Sequence, residues 1–257
     1  MRRIHLFEFE DLPWFPSMLR NYMTDFLQFG ANAFNVYKDL VPVISEIMKK
    51  LGKNTIIDLG SGGGGGWLRL EQQLKPHISG LQILLTDQFP NIPAFERTVK
   101  QDPEVFKYHP GPVDARNVPS DLAGIRTLFL SLHHFRYEDA RKIIQDSVTK
   151  SMPIMIVEIQ QRNLFSLIPM ILSPINVLLT TLFIQPFRLG RILFTYLIPI
   201  IPTVIMWDGI VSVLRTYTIK ELLRMVEETE NNSLFTWDIR ITKKGPRGVM
   251  YLVGYRK

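Results

Sequence analysis

The 257-residue sequence contains no cysteine. That absence removes disulfides, thiolate metal ligands and cysteine nucleophiles together, and it fits a reducing compartment. An apolar leader is also absent. Arg2 and Arg3 are followed by Glu8, Glu10 and Asp11 rather than by a run of signal-peptide length, so a cytoplasmic location is expected. No internal repeat is present, and the glycine tract at 60–66 is the sole low-complexity stretch. Histidine, aspartate and glutamate form no group with metal-ligand spacing, so no metal is expected. The basic residues do not gather with aromatics into a stripe, which argues against nucleic acid. Their one cluster, KKGPRG at 243–248, reads as a solvated hairpin turn.

What is present in quantity is apolar material, 46% of the chain, with 30 basic against 24 acidic residues and a net charge of +6. The chain can fill a core and have apolar surface left over. Its basic balance suits an anionic partner, nucleic acid or a membrane surface, and composition alone does not separate the two. At roughly 100–200 residues per domain, one elaborated domain is expected.

The periodicities alternate. From Phe15 to Lys50 apolar residues recur at helical spacing, which predicts two helices broken near Gly30 and forming an N-terminal cap (1–50). NTIIDL (54–59), LQILLT (81–86), RTLFLSL (126–132) and PIMIVEI (153–159) are short apolar runs of buried strands, and 105–110 is a weaker one. Helices are expected at 67–74, 94–100, 138–149 and 218–228, and two final strands at 235–242 and 249–256. This order predicts an α/β fold: a doubly wound, mostly parallel sheet ending in an antiparallel pair.

The chemistry starts at IIDLGSGGGGGW. Asp58 ends the first strand and a glycine loop follows, at the carboxyl end of the sheet where open α/β folds bind ligands. Gly60-x-Gly62-x-x-Gly65 also matches a dinucleotide fingerprint, so the loop by itself leaves the ligand open. Asp87, ending the second strand, is placed to accept from two ribose hydroxyls. Asp114-Ala115, in GPVDARNVP, places an acid where an adenine amino group could donate.

With these motifs in this order, the chain resembles the class I S-adenosylmethionine-dependent methyltransferases. DLGSGGG is similar to their first motif, LLTD to the second acidic position, VDARNVP to the adenine-side motif, and LFLSLHHF to the motif after strand four in quinone and small-molecule methyltransferases. The resemblance covers Thr55 to Glu158 closely and resumes loosely to Lys257. It implies a seven-stranded sheet with a reversed last strand, and S-adenosylmethionine as cofactor with S-adenosylhomocysteine as product. Gly60, Gly62 and Gly64 would contact the amino-acid part of the donor, Asp87 the ribose, and Asp114 with Ala115 the adenine. Asp58 would act near the donor amino group, and Ser61, Gln88 and Ser131 complete the expected cofactor-binding set. The departure is surplus glycine, with no larger residue at Gly65.

Methyl transfer requires nucleophile, carbon and sulfur in line, and a proton acceptor when the nucleophile carries a proton. His133 and His134, after strand four, are the base candidates; they could equally shape the pocket without taking a proton. Glu158, Asp208 and Arg215 are candidate substrate contacts. Their plain alternatives are a loop cap for Glu158 and mutual pairing for Asp208 and Arg215.

The rhythm breaks at 163–207. An uncharged run of 25 residues (163–187) is followed by RLGR and a second of 16 (192–207), punctuated by Pro169, Pro174, Pro186, Pro199 and Pro202. The first is long enough for a bilayer, which takes about 20 residues. A two-pass hairpin would carry Arg188 and Arg191 across the membrane at high cost. The favoured reading is a lid that doubles as a membrane contact, with the arginines meeting headgroup phosphates. A lipophilic acceptor such as a quinone, polyketide or lipid-like molecule follows from it. Two other functions fit less of the sequence: a non-catalytic donor-binding scaffold docked through the insertion, and a nicotinamide-dependent oxidoreductase, for which no Tyr-x-x-x-Lys pair follows the fifth strand. The sequence leaves oligomeric state open.

Overall fold

The computed structural model describes residues 1–243 and 248–257; most of the expected KKGPRG turn lies outside them. Seven strands form one sheet: β1 (Thr55–Leu59), β2 (Gln82–Thr86), β3 (Phe106–Tyr108), β4 (Ile125–Phe129), β5 (Ile154–Glu158), β6 (Phe235–Ile241) and β7 (Met250–Arg256). Their order is β3-β2-β1-β4-β5-β7-β6. Strands β1 to β5 pair in parallel, whereas β7 is antiparallel to both β5 and β6. The expected sheet with its reversed last strand is thus present. The order reverses between β2-β1 and β4, which opens a crevice at the carboxyl ends of β1 and β4.

Burial explains the apolar runs. Alternate residues of a strand face opposite sides, so Ile56 joins one core cluster and Ile57 the other. The first cluster packs the sheet against α2 (Val41–Leu51), α3 (Trp67–Leu74) and α4 (Ile92–Gln101). The second packs it against α5 (Tyr137–Thr149) and α10 (Ile219–Glu227). Helix α10 starts at Thr218, whose hydroxyl and the Glu221 carboxylate form a reciprocal cap.

Two boundaries differ from expectation. The first helix, α1, runs unbroken from Ser17 to Ala33 with Gly30 inside it; tertiary packing overrides the glycine's weak helix propensity. Strand β4 stops at Phe129, and Leu130 takes a positive φ of 51°. The chain then makes a short helical turn at Leu132–His134, so both histidines leave the sheet.

The insertion folds as four helices: α6 (Leu164–Ile171), α7 (Ser173–Thr180), α8 (Leu189–Ile192) and α9 (Ile200–Arg215). Two prolines mark helix starts: Pro174 lies in the first turn of α7 and Pro199 precedes α9, positions that need no amide donor, whereas Pro169 sits inside α6. A third core cluster joins Leu19, Tyr22 and Met23 of α1 to Val177, Ile201, Val204 and Ile205 of the insertion. Beneath it, Asp25 receives a hydrogen bond from Arg191 (3.0 Å) and another from Arg97 (3.1 Å). Arg191 is therefore not at a headgroup-facing surface: it is buried and clamps the insertion to α1.

Candidate active site

A cleft of about 760 Å³ lies between the carboxyl ends of β1, β2 and β4 and the inner face of α1. Its floor is the glycine loop. The loop climbs from Asp58 through Gly66 into the amino terminus of α3, where amides point toward a ligand. Gly64 has φ +94°, and a Cβ there would lie 2.8 Å from Thr98 Oγ1 and 2.9 Å from Gln28 Nε2. A Cβ on Gly66 would lie 2.5 Å from the Tyr37 ring. The surplus glycine seen in the sequence therefore has two causes: Gly66 has no room beneath Tyr37, whereas Gly65 has open space around it and a positive φ of 49° that favours glycine.

Asp58 holds the loop from below. Its carboxylate accepts from the Ser61 hydroxyl (2.6 Å) and the Thr127 hydroxyl (2.8 Å). Burial raises its pKa to about 6, against the lowering effect of those hydroxyl donors. Asp87 reaches back from the end of β2: Oδ2 accepts from the Gly62 amide (2.8 Å) and Oδ1 from the Phe89 amide (2.8 Å). Asp114 is pinned by the Arg116 guanidinium, with contacts of 2.8 to 3.1 Å, which keeps its carboxyl below the usual range.

Asp58, Gly60, Ser61, Gly62, Asp87, Gln88, Asp114, Ala115 and Ser131 all line this cleft. Gly64 does not; its neighbours Gly63 and Gly65 do, because Gly64 is turned against Thr98 and Gln28. The opposite wall is Ser17, Arg20, Asn21, Thr24 and Gln28 of α1. Their spacing of three and four residues is a polar stripe along one face of a helix whose other face is apolar. That signal was present in the sequence beside the apolar positions. No residue of 163–207 lines the cleft. The roof comes from α1 and from Glu10 and Asp11 of the N-terminal strap, because the inner face of the insertion is already packed on α1.

The remaining candidates assemble at one end. His134 lines the cleft; His133 and Glu158 sit behind it, both buried. His133 Nδ1 donates to Glu158 Oε2 (2.9 Å), and the His133 amide donates to Oε1 (3.2 Å). His134 Nδ1 donates to Asp11 Oδ1 (2.8 Å) and lies 3.3 Å from Glu8 Oε2. Burial works against the His134 imidazolium, but the Glu8 and Asp11 carboxylates outweigh it and raise the pKa to about 10. Its ring is a donor at neutral pH, not the proton acceptor that a general base must be.

Asp208 and Arg215 do not pair with each other. Asp208 accepts from the amides of Phe9 (2.8 Å) and Glu10 (3.2 Å), and burial raises its pKa to about 7. Arg215 Nη1 binds Asp11 (2.6 Å) and Glu8 (3.3 Å). Both residues fasten the N-terminal strap, and neither touches the cleft. Glu8, Glu10 and Asp11 were legible only as charges near the start of the chain. The fold carries them more than 120 residues in sequence to the two histidines.

No family model matches the chain, and no curated protein matches it in sequence. Its fold has solved counterparts. The plantazolicin methyltransferase BpumL in complex with SAH aligns with a TM-score of 0.55 at 10% identity, over 93% of this chain and 96% of that one. The methyltransferase domain of bacterial CtHen1-CN gives a TM-score of 0.51 at 11% identity, over 86% and 99%. An O-methyltransferase family protein from Burkholderia thailandensis aligns at 18% identity with a TM-score of 0.49, over 86% of this chain but 56% of its own. At these identities the likeness concerns architecture. The chain has the fold of the class I S-adenosylmethionine-dependent methyltransferases.

Proposed function

We propose that the protein transfers a methyl group from S-adenosylmethionine to a lipophilic small molecule at a membrane surface. The observation that carries the first half is the convergence of the Asp58–Gly66 loop, Asp87 and Asp114 on one cleft. Its volume of about 760 Å³ suits a ligand of this size together with part of an acceptor. Asp87 offers its remaining lone pairs to the ribose hydroxyls and Asp114-Ala115 stand at the adenine side. Ser131, with its hydroxyl held by the Phe129 carbonyl (2.9 Å), flanks the methionine end. The acceptor enters along α1, between the polar stripe and the aromatic side chains of Trp67, Phe89 and Phe129.

The membrane half rests on the outer face of the insertion. Leu164–Phe183 has a mean hydropathy of 1.8, yet only 17% of its most apolar window is buried. Phe165 (74% exposed), Leu179 (66%) and Phe183 (69%) stand in water, and an apolar face this large marks an interaction surface. Ser173, Val177 and Thr181 of the same segment are buried against the domain. A segment anchored along its length in this way lies flat at an interface rather than crossing it. Trp14, exposed beside Phe9 and Phe15 of the cluster that Val177 joins, is a further side chain of a type favoured at headgroup depth. The +6 charge adds attraction to anionic lipid.

Calorimetry with S-adenosylmethionine, S-adenosylhomocysteine and NAD tests the cofactor. Binding of the first two without NAD is expected, and NAD binding alone would reject the reading. Donor binding with no turnover on quinone, polyketide or lipid-like acceptors would assign the protein as a scaffold instead. Cosedimentation with vesicles containing anionic lipid tests the membrane half; a protein that stays in the supernatant refutes it.

A further inference from the structure

We infer that Glu8, His133 and His134 form a binding site for a first-row divalent metal ion at the inner end of the cleft. One ligand atom from each of the three lies within 4.8 Å of the others. The site is independent of the methyl-transfer reading, since its geometry stands whatever ligand fills the cleft.

Three features support a cation here rather than a simple ion-pair cluster. The first is how His133 is held. Glu158 fixes its Nδ1, and the Gln160 side chain in turn donates to Glu158 Oε2 (3.3 Å). This leaves Nε2 as the ring nitrogen available to a metal, the carboxylate–histidine arrangement that orients imidazole toward metals. Asp11 holds His134 Nδ1 in the same way, and a metal ion binding there would displace the imidazolium proton.

The second is an orphaned oxygen. Glu10 Oε1 is buried and has no hydrogen-bond partner. Its carboxyl lies within electrostatic reach of His134, Asp208, Glu8 and Asp11. A buried carboxylate oxygen without a donor is costly unless a cation or proton serves it; burial raises the Glu10 pKa to about 8, so a proton serves it when no cation is bound and a cation would take that proton's place.

The third is the set of donors. Five carboxyl groups (Glu8, Glu10, Asp11, Glu158 and Asp208) gather around two imidazoles, and Arg215 binds Glu8 and Asp11. Two imidazoles and a carboxylate suit Zn²⁺ or Fe²⁺ better than Ca²⁺ or Mg²⁺, which prefer all-oxygen shells. His134, Glu10 and Asp11 line the cleft while Glu8 and His133 lie behind it, so a further ligand would reach such an ion from the cleft. The ion would take an oxygen-bearing ligand there, such as a hydroxyl or carbonyl group.

The test uses the full-length protein, stripped with a chelator and free of methyl donor. Calorimetric titration with Zn²⁺ should show one equivalent bound, and Co²⁺ should give visible absorption bands that Zn²⁺ abolishes. Glu158→Gln, which alters the acceptor of His133 Nδ1 and of the His133 amide but removes none of the three ligands, should weaken Zn²⁺ binding roughly 10–100-fold with an unchanged circular dichroism spectrum. Glu8→Gln and His134→Gln should weaken it at least as much. Absence of binding by the wild-type protein overturns the site, as does an affinity that all three variants leave unchanged. Donor affinity measured separately on the stripped protein shows whether the methyl-transfer reading fails on its own.

Discussion

Replacing Asp25 by Asn should be among the most damaging single changes in the protein, at about 3–5 kcal/mol. The carboxylate is 2% exposed, and Arg191, its closest partner at 3.0 Å, is 1% exposed. Arg97 at 3.1 Å and Arg188 at 3.7 Å complete a ring of three guanidinium groups around one acid. Losing the acid leaves Arg191 buried with only the carbonyls of Ile184 and Pro186 for company, and adds repulsion among the three cations. The reverse change is milder. Arg191→Met leaves Asp25 with two guanidinium partners and puts an apolar side chain beside the α1–insertion core. About 1–3 kcal/mol is expected from the lost carbonyl contacts. The double variant should therefore be more stable than Asp25→Asn alone. For a chain of this size each kcal/mol is about 2–4 °C in Tm, so Asp25→Asn should melt roughly 6–20 °C below wild type. Reversible chemical denaturation of the four proteins gives the full cycle. An Asp25→Asn cost below about 1 kcal/mol, or a double variant weaker than both singles, would refute the clamp.

Other outcomes follow from the site and the surface. Gly64→Ala should cost about 1–3 kcal/mol, because its φ of +94° is strained for alanine and the Cβ meets Thr98 and Gln28; stability by urea denaturation equal to wild type would contradict the packing of the loop. Asp58 has a pKa of about 6 against an ordinary 3.8, so the native state keeps its proton after the unfolded chain has lost it. Wild type should therefore lose stability relative to Asp58→Asn as pH rises from about 4 to about 6, by up to roughly 3 kcal/mol, and not further above that; a pH-independent difference sinks the assignment. Asp87→Ala removes both the ribose acceptor and the anchor of the Gly62 amide. Calorimetry should show S-adenosylmethionine affinity reduced by about 1–3 kcal/mol, or roughly 5- to 150-fold, and an unchanged affinity would exclude the ribose role. Phe165→Ser combined with Phe183→Ser removes two side chains worth about 1.5–3 kcal/mol each when fully buried. Vesicle binding should fall at least about tenfold while Tm holds; equal cosedimentation would move the membrane contact elsewhere.

Local order determined much of this protein by itself. The β-branched runs NTIIDL and PIMIVEI could only be satisfied by burial on both faces, so the parallel sheet was legible from short-range pattern. The glycine loop and the acids at Asp58, Asp87 and Asp114 were legible for a related reason: each sits at or after the end of a strand, and strand ends converge once the sheet exists. The apolar excess of 163–207 likewise announced surface that the domain would not fully cover.

Tertiary structure alone decided what depends on residues far apart meeting. Whether Arg191 faces lipid or Asp25 is a question of which helix lies beneath it, and periodicity within 163–207 carries no such information. The lid expected there is instead α1 with the N-terminal strap, because α1 presents a polar stripe to the cleft and an apolar one to the insertion. The acids Glu8, Glu10 and Asp11 had no partner in sequence; the fold brings them to His133 and His134, turning a pair of candidate bases into the core of a charged cluster. The glycine loop changed meaning in the same way. Its excess glycine looked like a weakness in sequence, but the structure gives Gly66 a steric reason in Tyr37 and Gly65 a conformational one in its positive φ. Such contacts arise from close packing between elements, which no local pattern encodes.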